Sequence, residues 1–170
     1  MAQLTMYLML GFPGAGKTTA AKIIAGLTGA VHLASDHIRL EMFPKPKFSE
    51  QEHQMLYDEI DRRTKELLMA GKSVVYDANL NRYVHRQEKY EICRRVGVSS
   101  VLVWIKIDKE LARQRATAAE RKHLVPPGED SQAMFERIVG ILEEPRPGEP
   151  TVELNGANIT EATVKRALGL

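Results

Sequence analysis

Residues 11–18, Gly-Phe-Pro-Gly-Ala-Gly-Lys-Thr, constrain the fold of this chain more than any other segment. They match G-x-x-x-x-G-K-[ST] at every specified position. A short apolar run, Thr5 to Leu10, precedes them, and a stretch compatible with a helix from Lys17 to about Leu27 follows. Glycines in such a strand-to-helix turn take positive φ and let the backbone approach a ligand with no Cβ in the way. The N–H groups opening the helix, at the positive end of its dipole, then face a polyanion. Gly11, Pro13, Gly14, Ala15, Gly16, Lys17, Thr18 and Thr19 are therefore the expected nucleotide-binding residues. Lys17 is expected to reach the β- and γ-phosphates, and the Thr18 hydroxyl to ligate Mg²⁺.

The rest of the chain reads as strands alternating with helices. Continuous apolar strands are expected at Thr5–Leu10, Val31–Leu33, Ser73–Asp77, Ser100–Ile107 and Thr151–Leu154. Such runs suit a parallel sheet covered on both faces. Between them, helices are predicted over Asp36–Met42, from Ser49 to Gly71, over Arg82–Val96, from Asp108 to about Lys122, from Asp130 or Ser131 to before Pro145, and over Thr160–Leu168. Ser49 and Glu52 form an S-x-x-E capping signal, and Gly71 is placed as a C-terminal cap. The expected architecture is a three-layer α/β P-loop NTPase fold: a five-stranded, mostly parallel sheet with helices on both faces. At 170 residues, a single domain over 1–170 is expected, with a lid segment around 113–130.

Composition excludes several classes. Cys93 is the sole cysteine, which rules out an intramolecular disulfide and a cysteine metal cluster. The formal net charge of +2 decides neither for nor against a nucleic-acid partner. The start of the chain lacks a basic n-region and runs directly into the glycine loop, so it reads as a buried strand rather than a leader. No apolar run is long enough for a membrane helix. A cytoplasmic protein without a membrane partner is expected.

Two acidic positions follow strands. Asp36 and Arg39 lie 19 and 22 positions beyond Lys17, and their i,i+3 spacing puts them on one helical face. In an open parallel sheet, ligands gather at the carboxyl ends of strands, where this pair is expected. A carboxylate there can take the proton of an attacking hydroxyl, and an arginine can hold an anion. Alone, the pair reads rather as an N-cap and a solvated partner; beside the glycine loop, the basic role is the stronger reading. Val74-Val75-Tyr76-Asp77 is a hydrophobic strand ending in an acid, which makes Asp77 a candidate to hold Mg²⁺ directly or through water.

These segments, in this order, resemble the small P-loop kinases that include polynucleotide 5′-hydroxyl kinases, chloramphenicol phosphotransferase and zeta toxins. The resemblance rests on Gly11–Thr18, Ser35-Asp36-His37-Ile38-Arg39, Asp77-Ala78-Asn79-Leu80 and a later arginine-bearing helix. It implies ATP as donor, Asp36 as general base and Arg39 as a contact to a phosphate on the acceptor. It also implies an acceptor side lined by Asn79 and Arg86, although Arg86 reads equally as a solvated helix residue. Lid arginines in that family stand four residues apart. Here Arg115 is followed by Arg121 at i+6, with Ala119 at i+4, so the pair shares a face only if the helix breaks between them. Arg115 and Arg121 are preferred to Arg113 as charge-stabilising residues, and Asn155-Gly156-Ala157 is expected near the base of the nucleotide.

Lys17, Asp36, Arg115 and Arg121 are thus the expected catalytic residues of an ATP-dependent kinase. Its acceptor would be a hydroxyl of a nucleic acid 5′ end, a nucleotide or a small molecule. The alternative is a nucleotide-dependent ATPase or switch with no hydroxyl acceptor.

Overall fold

The apolar run at the start of the chain forms a strand buried along all six of its residues. A strand so enclosed must be covered on both faces. A computed structural model, which describes residues 3–118 and 125–170, shows how. Strands β1 (Thr5–Leu10), β2 (Val31–Ala34), β3 (Val74–Asp77), β4 (Ser99–Lys106) and β5 (Thr151–Asn155) form one sheet. Their order is β2-β3-β1-β4-β5 and every neighbouring pair is parallel, so the α/β P-loop fold expected from the sequence is the fold observed.

Strand periodicity sorts β1 between two cores. Met6, Leu8 and Leu10 join Leu33, Val74, Tyr76 and Leu102 beneath the helices α2 (Ser35–Met42), α3 (Glu50–Met69) and α4 (Tyr83–Val96). Tyr7 and Met9 join Val75, Val103, Ile105 and Leu154 beneath α1 (Lys17–Thr28) and α7 (Glu161–Leu168). A third, smaller cluster ties α5 (Lys109–Ala116) to α6 (Ser131–Gly140) through Ala112, Ala116 and Phe135. The Phe12 ring of the glycine loop meets Phe135 edge-on, with centroids 6.5 Å apart. Among the described residues no helix is long and apolar enough to cross a membrane.

The helix ends explain the boundaries. Gly71, at φ 77°, closes α3 in a Schellman arrangement: its N–H donates to Leu68 O, and the Lys72 N–H donates to Leu67 O. Of the two candidates for capping α6, Asp130 does so, accepting from the Ala133 N–H at 2.7 Å. At the other end of that segment α5 stops at Ala116, short of the expected Lys122. The Thr117 hydroxyl donates to Arg113 O at 2.9 Å, and the Ala118 N–H turns to Arg115 O three residues back. The last turn is thus tightened away from α-geometry. Residues 119–124, which include Arg121 and part of the expected lid, lie outside the described residues.

Candidate active site

The glycine loop joins the central strand β1 to α1 and brings the helix start to the carboxyl edge of the sheet. Its glycines are required by packing as well as by conformation. A Cβ on Gly14, at φ +78°, would lie 2.3 Å from Ala112 O, and one on Gly16, at φ +104°, 2.5 Å from the Ile159 side chain. Gly16 is the N-cap of α1, offers no side-chain cap, and is followed by no acid in the first turn. The first turn of α1 thus opens with no side-chain cap and no acid, which suits an anion supplied from outside the helix. Lys17 bends back over the loop, its Nζ donating to Gly11 O at 2.8 Å and to Phe12 O at 2.9 Å. This holds the ammonium across the cradle.

Thr18 and Asp77 meet directly. The Thr18 hydroxyl donates to Asp77 Oδ2 at 2.9 Å, and His32 Nε2 stands 2.9 Å from the same oxygen. Asp77 is buried at the end of β3, where its carboxylate oxygens need such hydrogen-bond partners. Among the described residues no group of three His, Cys, Asp or Glu side chains converges as a metal-ligand set. A hydroxyl and a strand-end carboxylate beside a phosphate cradle nevertheless fit Mg²⁺, which keeps several waters and shares phosphate oxygens. His32 was not singled out by sequence reasoning. A polar side chain inside the short strand Val-His-Leu-Ala was the available signal.

Asp36 stands in the first turn of α2, two residues after Ala34, which pairs in register with Asp77. The two carboxylates therefore occupy adjacent strand ends, and the Asp36 side of the site is exposed. Tyr57, reaching in from α3, was also missed by sequence reasoning. Its hydroxyl donates to Asn79 O and accepts from the Asn79 N–H, at 3.1 and 2.9 Å, which fixes the segment after β3. The Asn79 side-chain oxygen in turn accepts from the Asn81 N–H at 3.1 Å. Burial pushes the Tyr57 phenol well above its ordinary range. Its hydrogen bonding to Asn79 and the Arg39 charge oppose the shift, whereas the negative charges of Asp36 and Asp61 add to it. Of the acceptor-side candidates, Asn79 is thus held directly by Tyr57.

Arg39 is buried, with its guanidinium 4.7 Å over the Phe48 ring and Nη2 3.2 Å from His53 Nδ1. Arg86 lies elsewhere, and the structure corrects the expectation that it lines the acceptor side. It is wholly enclosed. Its Nε and Nη2 grip Glu149 at 2.8 and 3.0 Å, Nη1 donates to Leu80 O and Asn81 O, and Nη2 also donates to Glu144 O. All five guanidinium donors are therefore taken by protein. Arg86 is an internal strut tying α4 to the segment before β5.

On the other side of the glycine loop, Gly14, Gly16, Thr19, Arg115, Gly156, Ala157 and Ile159 line a cleft of about 420 Å³. Arg115 Nη1 donates to Gly156 O at 2.9 Å. A Cβ on Gly156 would come within 2.5 Å of Ala15 O, so the loop after β5 is pressed against the cradle. Arg113 points the other way, into ion pairs with Glu110 and Glu136 and onto the Phe135 ring. Arg115 is thus among the residues lining this cleft, and Arg113 is not. Arg121 lies outside the described residues.

A family model described as an AAA domain matches residues 6–140, a span running from β1 to the end of α6. The chain belongs to this AAA domain family. Structures similar to this AAA domain protein are P-loop kinases and their relatives. A sugar kinase from Janibacter sp. HTCC2649 is 18% identical, with 99% of this chain and 94% of that chain covered and a TM-score of 0.70. Kti12 from Chaetomium thermophilum, solved with ADP-AlF3, is 17% identical over 96% and 95%, with a TM-score of 0.73. The APS kinase CysC from Mycobacterium tuberculosis, solved with AMPPNP and APS, is 16% identical over 99% and 98%, with a TM-score of 0.66. At these identities the likeness establishes a kinase-like P-loop fold. A sequence comparison with curated proteins finds no match.

Proposed function

We propose that this chain is an ATP-dependent kinase that transfers the γ-phosphoryl group to a hydroxyl. The observation that carries the reading is the junction of Thr18 with Asp77 at 2.9 Å, in register beside the strand end that bears Asp36. A phosphate cradle, a proposed cation-holding pair and a candidate base on one edge of the sheet support this reading. The N–H groups of α1 and the Lys17 ammonium bind the phosphates and oppose their charge as it shifts toward the leaving oxygen. Thr18 and Asp77 would hold Mg²⁺, which when bound neutralises phosphate charge. Arg115 closes the wall of the cleft at the nucleoside end, and Arg121 is proposed as its companion in a lid around 113–130. Asp36 takes the acceptor hydroxyl proton as the hydroxyl oxygen bonds to the γ-phosphorus and the β–γ bridging oxygen departs. Arg39 and Asn79 belong to the acceptor side. The acceptor class is a nucleotide, a nucleic acid 5′ end or a small molecule, and we place the protein in the cytoplasm.

The test incubates the protein with γ-labelled ATP and Mg²⁺ and a panel of sugars, nucleosides, nucleotides and 5′-hydroxyl oligonucleotides. Labelled product is expected, and Asp36→Asn should abolish it while ATP affinity stays within about threefold. ATP turnover that labels no acceptor and is indifferent to Asp36→Asn would refute the mechanism.

A further inference from the structure

The link between α2 and α3 is built around Arg39. Phe48 holds φ 55°, the left-handed region that a bulky side chain seldom adopts. Such strain persists where surrounding contacts over-determine it, and it clusters at ligand clamps. Here the Glu52 carboxylate imposes it, accepting from the Lys47 N–H with both oxygens at 2.9 Å and from the Phe48 N–H at 2.8 Å. In an ordinary capping box Glu52 would turn to the N–H of Ser49. Its reach further back instead brings the Phe48 ring beneath the Arg39 guanidinium. From the next position on α3, His53 Nδ1 meets Arg39 Nη2 at 3.2 Å. A guanidinium nitrogen can only donate, so His53 Nδ1 is the acceptor and its imidazole is neutral.

Three neighbours therefore fix one cation. Arg39 is 6% exposed, yet its Nη1 has no hydrogen-bond partner among the described residues. Glu52 Oε2 stands 3.9 Å from Nη1, close enough to balance charge but too far for a hydrogen bond. A buried donor left without an acceptor is costly, and it is kept where a ligand completes it. The His53 pKa is lowered first by desolvation and then by Arg39, His85 and Arg137, contributed by α2, α4 and α6. Tyr57 lies against the ring, with centroids 4.6 Å apart.

We propose that Phe48, Glu52 and His53 form a positioning cage that presents Arg39 Nη1 to a tetrahedral oxyanion, phosphoryl or sulfuryl, carried by the acceptor. His53 sets the aim of the guanidinium. That the anion is carried by an acceptor rests on the kinase reading; the anion site itself does not. The resemblance assigned an anion to Arg39 alone; the cage adds residues that no linear spacing indicated.

The probe is inorganic sulfate, a dianion across the working pH range, titrated into the full chain with AMP-PNP and Mg²⁺ saturating the glycine loop. Side-chain NMR signals of Arg39 and His53 are followed. Saturable shifts of both are expected. His53→Ala should weaken sulfate about tenfold. His53→Asn, whose amide oxygen restores an acceptor near the place of Nδ1, should stay within about threefold of the parent. AMP-PNP affinity should be unchanged in both. Absence of saturable sulfate binding, shifts that spare Arg39 and His53, or equal losses in the two variants would each overturn the proposal. Phosphoryl transfer is not needed for this titration, so a protein that binds sulfate here but labels no hydroxyl would sink the kinase reading and leave the cage standing.

Discussion

Replacing Arg86 by Met separates a strut from an acceptor contact. The Arg86 and Glu149 side chains are 0% and 3% exposed, and two hydrogen bonds join them. Breaking a buried pair by removing one partner costs about 3–5 kcal/mol, because the other charge is left in a poorly solvated site. Glu149 would keep the Tyr90 hydroxyl at 2.8 Å and the Arg146 N–H at 2.6 Å, which places the loss in the lower part of that range. The carbonyls of Leu80, Asn81 and Glu144 also lose a donor. We expect Arg86→Met to lower the unfolding free energy in urea by about 3–4 kcal/mol, a large part of the 5–15 typical of a domain. Adding Glu149→Gln should return about 1 kcal/mol or more by removing the stranded charge. The pH dependence has a definite sign. Burial pushes the Glu149 carboxyl up, but Arg86, the Arg146 N–H and Tyr90 hold it below the ordinary range overall. Its stabilisation is full above the unfolded carboxylate value of about 4.3 and is lost as pH falls through the folded value. Arg86→Met should therefore flatten that acid limb. A loss under about 1 kcal/mol, with acceptor-dependent turnover reduced instead, would refute the strut and restore Arg86 to the acceptor side.

Gly14→Ala combines a left-handed backbone with a Cβ 2.3 Å from Ala112 O. It should reduce AMP-PNP affinity at least about tenfold in calorimetry and cost about 1–2 kcal/mol from backbone strain alone; unchanged affinity would contradict the tight cradle. Asp77→Asn removes the charge that engages the Thr18 hydroxyl and His32. The Mg²⁺ concentration giving half-maximal activity should rise about 10–100-fold, the range for altered partners of a metal site, and an unaltered Mg²⁺ profile would count against Asp77. The His53 pKa is lowered, so the unfolded chain takes up its proton first as pH falls below about 6.5. Stability should decline from there down through the folded value, and His53→Asn should remove that component in urea titrations at stepped pH.

The parts read well from the sequence are those whose physics is local. Met6, Leu8 and Leu10 against Tyr7 and Met9 already announce a strand enclosed on both faces, and the glycine loop specifies its own turn. Gly71 marks the end of α3 because the left-handed C-cap is a local need. What remained hidden depends on partners distant along the chain. Nothing near Arg86 points to Glu149, 63 residues away, so its place on a helix beside Asn79 gave a misleading role. Arg39 and His53 are 14 residues apart, joined by a link whose backbone is held by Glu52. Where α5 ends, the Thr117 hydroxyl turns back to Arg113 O, a bond that periodicity does not weigh.

The strand order has a consequence for how such a protein can diversify. With β1 in the middle, β2 and β3 lie on one side of it and β4 and β5 on the other. The first arm carries Asp36, Arg39 and Asp77, whereas the second leads into Arg115 and Gly156. The Cβ that would strike Ala15 O makes the Gly156 arm intolerant of change. The excursion from Phe43 to Ser49 on the opposite arm is instead held by bonds to Arg39, Glu52 and His53. A seam thus runs along β1. On the proposed kinase reading, exchange of the α2–α3 link within the β2–β3 arm between related chains would alter the acceptor side and leave Asp77 beside Thr18.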